Sequence, residues 1–348
     1  MSAKEQAILF RIGGLGDLLV ALPAISLVRW GLPRFLLSLV GRLEYGALLK
    51  WAGLVDEVLS FEDARMTAVF ASSNEVAIGG KSGADPLASW LKKYSLAMGW
   101  LNRPGHWPAR EWWQKQGMRE ADFTAYESRP AVAMSRFFFD RTRGFLERFG
   151  TTAGPAVGKG GAVEANASAA AVDLLFDECA RLTLPSGLRK KALADLDLRE
   201  LKPGERRLVV HPGSGGRAKR WPLANFMEVI RRAGQLGLPG VLVTGQAETE
   251  LEAEIEGLRF PDGWSKAARL PVETLAGLLS ESTHYLGNDS GPTHLAAACG
   301  ASVLALFRED NLPAWRPFGK TRVLAAPALA GIGVEPAWRV LQDLLAGR

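Results

Sequence analysis

Residues 288–294 read NDSGPTH, a polar turn between an apolar run and a helix of small residues. Asp289 and Ser290 are capping residues, Gly291 has no Cβ and Pro292 suits a first helical position, so a helix opens here at the end of a strand. Its unpaired backbone N–H groups and the positive pole of its dipole would stabilise a phosphate or another anion. His294 lies one turn further on as an additional donor. A hydrolytic triad of Ser290, His294 and Asp289 is excluded. The G-x-S-x-G elbow is missing, and a histidine four residues along the same helix face is badly placed as a base with its own third residue.

Residues 211–222, HPGSGGRAKRWP, form a second candidate anion seat. Three glycines and Ser214 offer backbone N–H groups and a hydroxyl, and Lys219 is a compact charge of the kind that holds phosphate. Without G-K-[ST] this is no P-loop. A third turn, Gly13-Gly14-Leu15-Gly16-Asp17, has the first two glycines of a dinucleotide fingerprint. Leu19 stands at the third position, and no acidic residue ends the second strand, so no nicotinamide cofactor is expected. The turn instead lets another molecule approach the backbone. Asp17 is either a reacting group or an ordinary first-turn carboxylate worth ~0.3–1 kcal/mol through the helix dipole. Asp195-Leu196-Asp197 has the form of a two-carboxylate metal motif, but it sits among leucines and charges and is read as a solvated face. No metal site is expected.

Each turn needs a strand before it and a helix after it. The pattern predicts strands at 7–12, 35–40 and 55–61, with helical segments at 18–30 and 43–49, and further helices at 86–101 and 133–148. Residues 151–171, rich in Gly and Ala, read as a connection. In the second half, strands at 207–210, 240–244, near 268, 285–287 and 302–307 alternate with helices at 223–236, 250–258, 272–282 and 335–345. That order predicts parallel sheets with helices on both faces, in two domains in series.

A chain of 348 residues, 47% hydrophobic, has room for two cores. No apolar run reaches the ~18 residues of a membrane helix, and the N-terminus lacks the order of a secretion signal, so a cytoplasmic location is expected. Cys179 and Cys299 have no metal spacing and are expected to be buried thiols. The net charge of +5 is uneven: residues 81–148 hold twelve Lys/Arg against seven Asp/Glu, together with Trp90, Trp100, Trp107, Trp112 and Trp113. Either this segment faces an anionic partner, or it is a solvated face over an aromatic core.

Taken together, ILFRIGGLGDLLVALPAI, HPGSGGRAKRWPLANF, VLVTGQAETELE and NDSGPTHLAAACGASVLALF resemble, in that order, the bacterial heptosyltransferase family. The resemblance implies an α/β fold of two doubly wound Rossmann-like domains facing a cleft (GT-B). Residues 1–185 would bind the acceptor, 186–328 the nucleotide sugar, and 329–348 would form a helix crossing back to the first domain. It further implies an inverting, metal-independent glycosyltransferase of lipopolysaccharide biosynthesis. ADP-heptose would be the donor, an anionic glycolipid at the inner face of the membrane the acceptor, and neither cofactor nor nucleic acid would take part. Asp17 matches the catalytic base, with Gly13, Gly14 and Gly16 as the acceptor-side loop. Lys219 and Ser214 match the donor-phosphate positions, Asp289, Ser290, Gly291 and His294 the sugar and diphosphate turn, and Glu248 the acidic residue near the ribose. Another GT-B nucleotide-sugar enzyme, with a different hexose or an epimerase activity, and a non-catalytic nucleotide-sugar binding protein remain as alternatives. Between residues 65 and 171 no acceptor signature is assignable.

Overall fold

The computed structural model describes residues 5–71, 86–101, 108, 110–126, 132–149, 168–196, 206–245, 248–282 and 284–347. The chain divides between Cys179 and Ala180 into two compact units. Each unit is built on a parallel sheet.

In the first unit, strands β1 (Gln6–Phe10), β2 (Leu36–Gly41), β3 (Glu57–Ser60), β4 (Leu96–Leu101) and β5 (Glu120–Ala125) lie in the order β3-β2-β1-β4-β5. Every pairing is parallel. Residues 7–10 of β1 are completely buried, as a central strand covered on both faces must be. The chain leaves β1 towards β2 on one side and reaches β4 on the other, so the direction of winding reverses between β1 and β4. That reversal opens a crevice at the carboxyl ends of these two strands. The helix expected at 18–30 is two helices, Leu15–Val20 and Leu22–Gly31, with Pro23 in the first turn of the second.

The expected helix at 86–101 stops at Leu91, and its second half is strand β4. Gly99 shows why: a Cβ there would come within 2.5 Å of the Phe123 ring on β5, so the glycine marks close approach between strands. Strand β5 was not expected, because its half-exposed pattern (EADFTA) carries little apolar signal. The aromatic part of the basic segment is core. Trp100 and Trp113 are fully buried, and Trp113 stacks on Phe123 at 5.0 Å. Trp90 and Trp112 pack partly buried against the same cluster, and Trp107 lies outside the described residues. The helix Ala169–Cys179 begins within the stretch read as a connection, whose residues 151–167 also lie outside the described residues.

In the second unit, β6 (Leu208–His211), β7 (Gly240–Thr244), β8 (Trp264–Ala268), β9 (His284–Asn288), β10 (Ser302–Arg308) and β11 (Thr321–Ala326) lie in the order β11-β10-β9-β6-β7-β8. Winding reverses between β6 and β9. Strand β11, a half-buried edge strand, was not expected. Helix Ser186–Asp195 packs on Val272–Glu281 where Gly277 makes room: a Cβ there would lie 2.3 Å from that of Ala192. The closing helix, Val334–Leu345, which the resemblance has crossing back to the first domain, buries Trp338, Leu341 and Leu344 in the second unit's own core. Cys179 is buried, whereas Cys299 is only half-buried.

Candidate functional site

At the carboxyl end of β1, Gly13 has φ +142°, and a Cβ on it would fall 2.5 Å from Asp17 Oδ2. Only glycine fits, because this carboxylate folds back over the turn. Asp17 Oδ2 accepts a 2.7 Å hydrogen bond from the Gly14 N–H, which fixes the carboxylate in the first turn of its helix. Gly16 lies half-exposed in that same turn. Arg11, which sequence reasoning passed over, lies beneath it. Its Nε donates to the Asp17 carbonyl at 2.5 Å and its Nη1 to the Trp100 carbonyl on β4 at 2.8 Å, so the guanidinium bridges the two strands at the reversal. Its Nη2 is 3.6 Å from Asp17 Oδ1. Burial pushes the Arg11 pKa down to about 10, with Asp17 opposing the shift, so Arg11 remains a cation near neutrality.

In the second unit, the loops after β6 and β9, the two strands flanking the reversal, are stitched together. Asn288, wholly buried, donates from Nδ2 to the Pro212 carbonyl at 2.8 Å and accepts at Oδ1 from the Trp221 N–H at 3.1 Å. Ser214 Oγ donates to the Asp289 carbonyl at 2.8 Å. Lys219 Nζ donates to Asp289 Oδ2 at 2.8 Å, and Asn311 Nδ2 donates to the same oxygen. The lysine is 40% exposed and the aspartate 6%, so a buried carboxylate holds a cation that solvent can reach. Ser290 holds the N-cap position of the helix Gly291–Ala298 without a side-chain capping bond, Pro292 lies in the first turn, and the half-buried Ser290 and Gly291 stand at its mouth. His294 is buried one turn in, its ring 6.4 Å from that of Trp315.

Glu248, expected beside a ribose, turns its carboxylate inward. It is 5% exposed, lies 3.4 Å from His211 Nε2 and accepts from the Gly245 N–H. Burial raises the Glu248 pKa, but hydrogen bonding and charge from His211, the Gly245 N–H and Arg220 outweigh it. The net value lies below the ordinary glutamate range. Gly213 is glycine because a Cβ there would meet that carboxylate at 2.1 Å. His211, Asn288 and Asn311 were missed. His211 and Asn288 had only their membership of the polar turns as a signal, and Asn311, in the turn after β10, had none, since each acts through a partner distant in the chain.

Ser214, Lys219, Asp289, Ser290 and Gly291 therefore meet at one reversal point, with Glu248 joined through His211. Asp17 and its glycines occupy the equivalent point of the first unit. The side chain of Asp195 and all of Asp197 lie outside what is described. A groove of about 1070 Å³, lined by Leu223, Met227, Leu258 and Phe260 among others, shares no residue with these turns. Among the described residues no helix is long and apolar enough to cross a membrane.

Residues 162–327 match the model of glycosyltransferase family 9 (heptosyltransferase). The chain is similar to lipopolysaccharide heptosyltransferase 3 of Escherichia coli, 26% identical over 198 residues, which are 55% of this chain and 57% of that protein. Lipopolysaccharide heptosyltransferase 1 of Pseudomonas aeruginosa is 34% identical over 140 residues, 39% of this chain and 37% of that one. The chain thus spans about half, or less, of the length of these relatives. The solved structure of the E. coli ADP-heptose lipopolysaccharide heptosyltransferase II aligns at a TM-score of 0.68 and 16% identity, over 98% of this chain and 99% of that one. That likeness shows the fold, the two parallel-sheet α/β units of the GT-B class.

Proposed function

We propose that this chain, which through residues 162–327 belongs to the heptosyltransferase family of glycosyltransferases, moves a sugar from a nucleotide-diphosphate donor, ADP-heptose, to an anionic lipopolysaccharide-type glycolipid, with inversion. The observation that carries this reading is the Lys219–Asp289 pair at the winding reversal, a reachable ammonium held 2.8 Å from a buried carboxylate beside a helix N-terminus. Such a seat suits a diphosphate, whose charge grows as the bond to the sugar breaks.

Asp17 is the proposed base. It removes the proton of the acceptor hydroxyl as that oxygen attacks the anomeric carbon, while the carbon–oxygen bond to the diphosphate breaks on the opposite face. The departing charge is met by Lys219, the N-terminus of the helix Gly291–Ala298 and the Ser290 hydroxyl. Ser214 fixes the Asp289 backbone, and His294 backs the seat from one turn inside the helix. This cationic and dipolar stabilisation makes the step metal-independent. Glu248 holds the turn beneath the ribose from inside the fold. Gly13, Gly14 and Gly16 give the acceptor access to the backbone around Asp17. With a lipid acceptor, the protein would work as a peripheral enzyme at the cytoplasmic face of the inner membrane.

Thermal shift against ADP, UDP, GDP and CDP tests the donor. ADP should give the largest stabilisation, and preference for another nucleotide, or for none, would overturn the ADP-heptose assignment. Transfer rates should be unchanged by EDTA, and a dependence on added divalent ions would overturn metal independence.

A further inference from the structure

Ser290, His211 and Glu248 form a chain of polar groups across the carboxyl edge of the second sheet. Ser290 Oγ is 3.4 Å from His211 Nδ1, and His211 Nε2 is 3.4 Å from Glu248 Oε2. The inner pair is almost fully buried, while Ser290 is half-buried at the helix mouth. Glu248 cannot swing away, because it accepts from the Gly245 N–H and packs against Gly213.

The direction of each hydrogen bond follows from which groups can donate. Glu248, an ionised carboxylate, only accepts, so His211 Nε2 carries a hydrogen. In the neutral imidazole Nδ1 is then an acceptor, and Ser290 has a single proton to give it. With that proton turned inward, the Ser290 oxygen presents only lone pairs to an anion at the helix N-terminus. Once Nδ1 is protonated the bond reverses. The imidazolium donates to Ser290 Oγ, and the hydroxyl proton is released towards the anion. Ser290 Oγ also lies 3.2 Å from Thr293 Oγ1, which can only accept from it because the Thr293 hydroxyl donates to the Asn288 carbonyl; a bound anion, being charged, is the stronger acceptor for the released proton.

We infer that His211 is a positioning residue whose protonation aims the Ser290 hydroxyl at the donor's diphosphate, so that donor binding takes up a proton from solvent. This rests on the reading of the turn as a diphosphate seat. The charged and titratable groups around His211 are Glu248 at the start of the helix Thr249–Glu256, and Lys219 and Arg220 on its own loop. Tyr285 on β9 interacts with both ends of the polar chain, through a hydrogen bond with Ser290 and the charge of Glu248. Asp289 is already paired with Lys219. The added negative charge of a diphosphate favours the imidazolium, so donor affinity falls as pH rises.

Titration calorimetry with ADP-glucose tests this, because a diphosphate diester has no titrating proton near neutrality. Measurements between about pH 6 and about pH 8.5, in two buffers of different ionisation enthalpy, report the proton directly. The wild type should take up as much as about one proton, with affinity falling by up to about tenfold per pH unit. His211→Gln should bind with no proton uptake and no pH slope. Ser290→Ala, which leaves the buried His211–Glu248 pair in place, should lose the uptake even if His211→Gln fails to fold. Binding by the wild type without uptake, or uptake retained in Ser290→Ala, would overturn the coupling alone. Failure of ADP-glucose, UDP-glucose and GDP-mannose all to bind would overturn the diphosphate seat itself.

Discussion

The guanidinium of Arg11 lies 3.6 Å from the carboxylate of Asp17 and also donates to the main-chain carbonyl of the same residue. One buried cation thus holds both the backbone and the side chain of the proposed base, while Nη1 ties it to β4 through Trp100.

Asp17→Asn should therefore lower transfer by about 10²- to 10⁴-fold, the range for a general base. Donor affinity should stay within about threefold, since the donor seat is built from second-unit residues. Gly13→Ala should mimic the loss, because its Cβ and the positive φ both conflict with the Asp17 carboxylate. Steady-state kinetics beside donor titrations separate the two effects. An Asp17→Asn enzyme of wild-type rate would remove Asp17 from the mechanism.

Lys219→Ala should weaken nucleoside-diphosphate binding by ~1–3 kcal/mol, as for a charged hydrogen bond. It also leaves the buried Asp289 carboxylate without its cation, so stability should fall as well. Lys219→Ala combined with Asp289→Asn should recover stability but not affinity. Calorimetry and chemical unfolding on the three variants check both halves, and full retention of affinity in Lys219→Ala would move the phosphate seat elsewhere.

Trp221, though within the basic loop, is a core residue. It packs edge-on to Phe226 at 4.9 Å, and its Nε1 donates to the Ile332 carbonyl at 2.8 Å. Trp221→Ala should cost about 3–5 kcal/mol of stability through the cavity it leaves. Trp221→Phe should cost about 1–3 kcal/mol for the unsatisfied carbonyl. Urea denaturation monitored by circular dichroism measures both.

His284 caps the closing helix, its Nε2 lying 3.2 Å from the Leu344 carbonyl. Burial lowers its pKa, the bond to Leu344 raises it, and nearby Arg206 lowers it further; the net value lies below the ordinary 6.5. Below that pH the unfolded chain takes up a proton that the folded chain refuses. This site's contribution to stability is therefore complete above about pH 6.5 and is lost as pH falls towards the folded pKa. Melting temperatures between about pH 7.5 and about pH 5.5 should decline less steeply in His284→Asn. An unchanged slope would show that other groups carry the dependence.

Much of the second unit was legible in the sequence, because its strands are short apolar runs ended by glycine and capping chemistry. The expected strand at 240–244 coincides with β7, and the expected helix at 223–236 overruns Leu223–Gln235 by one residue. The first unit was less so after residue 65. Strands β4 and β5 carry Gly99 and a polar edge pattern, and only their pairing and the packing of Phe123 make them strands.

The sequence by itself determined which residues stand at turns: Asp17 behind its glycines, Lys219 in a basic loop, and Asp289 and Ser290 at a helix mouth. Capping, glycine and proline preferences are local, and a local reading recovers them. Tertiary structure decided which of them meet. Lys219 and Asp289 are 70 residues apart, Ser214 and Asp289 75, and Ser290 and His211 79, and each pair meets because β6 and β9 are neighbours. Strand order depends on how crossovers bury both faces of a sheet, a property of the whole unit that no short stretch of sequence encodes.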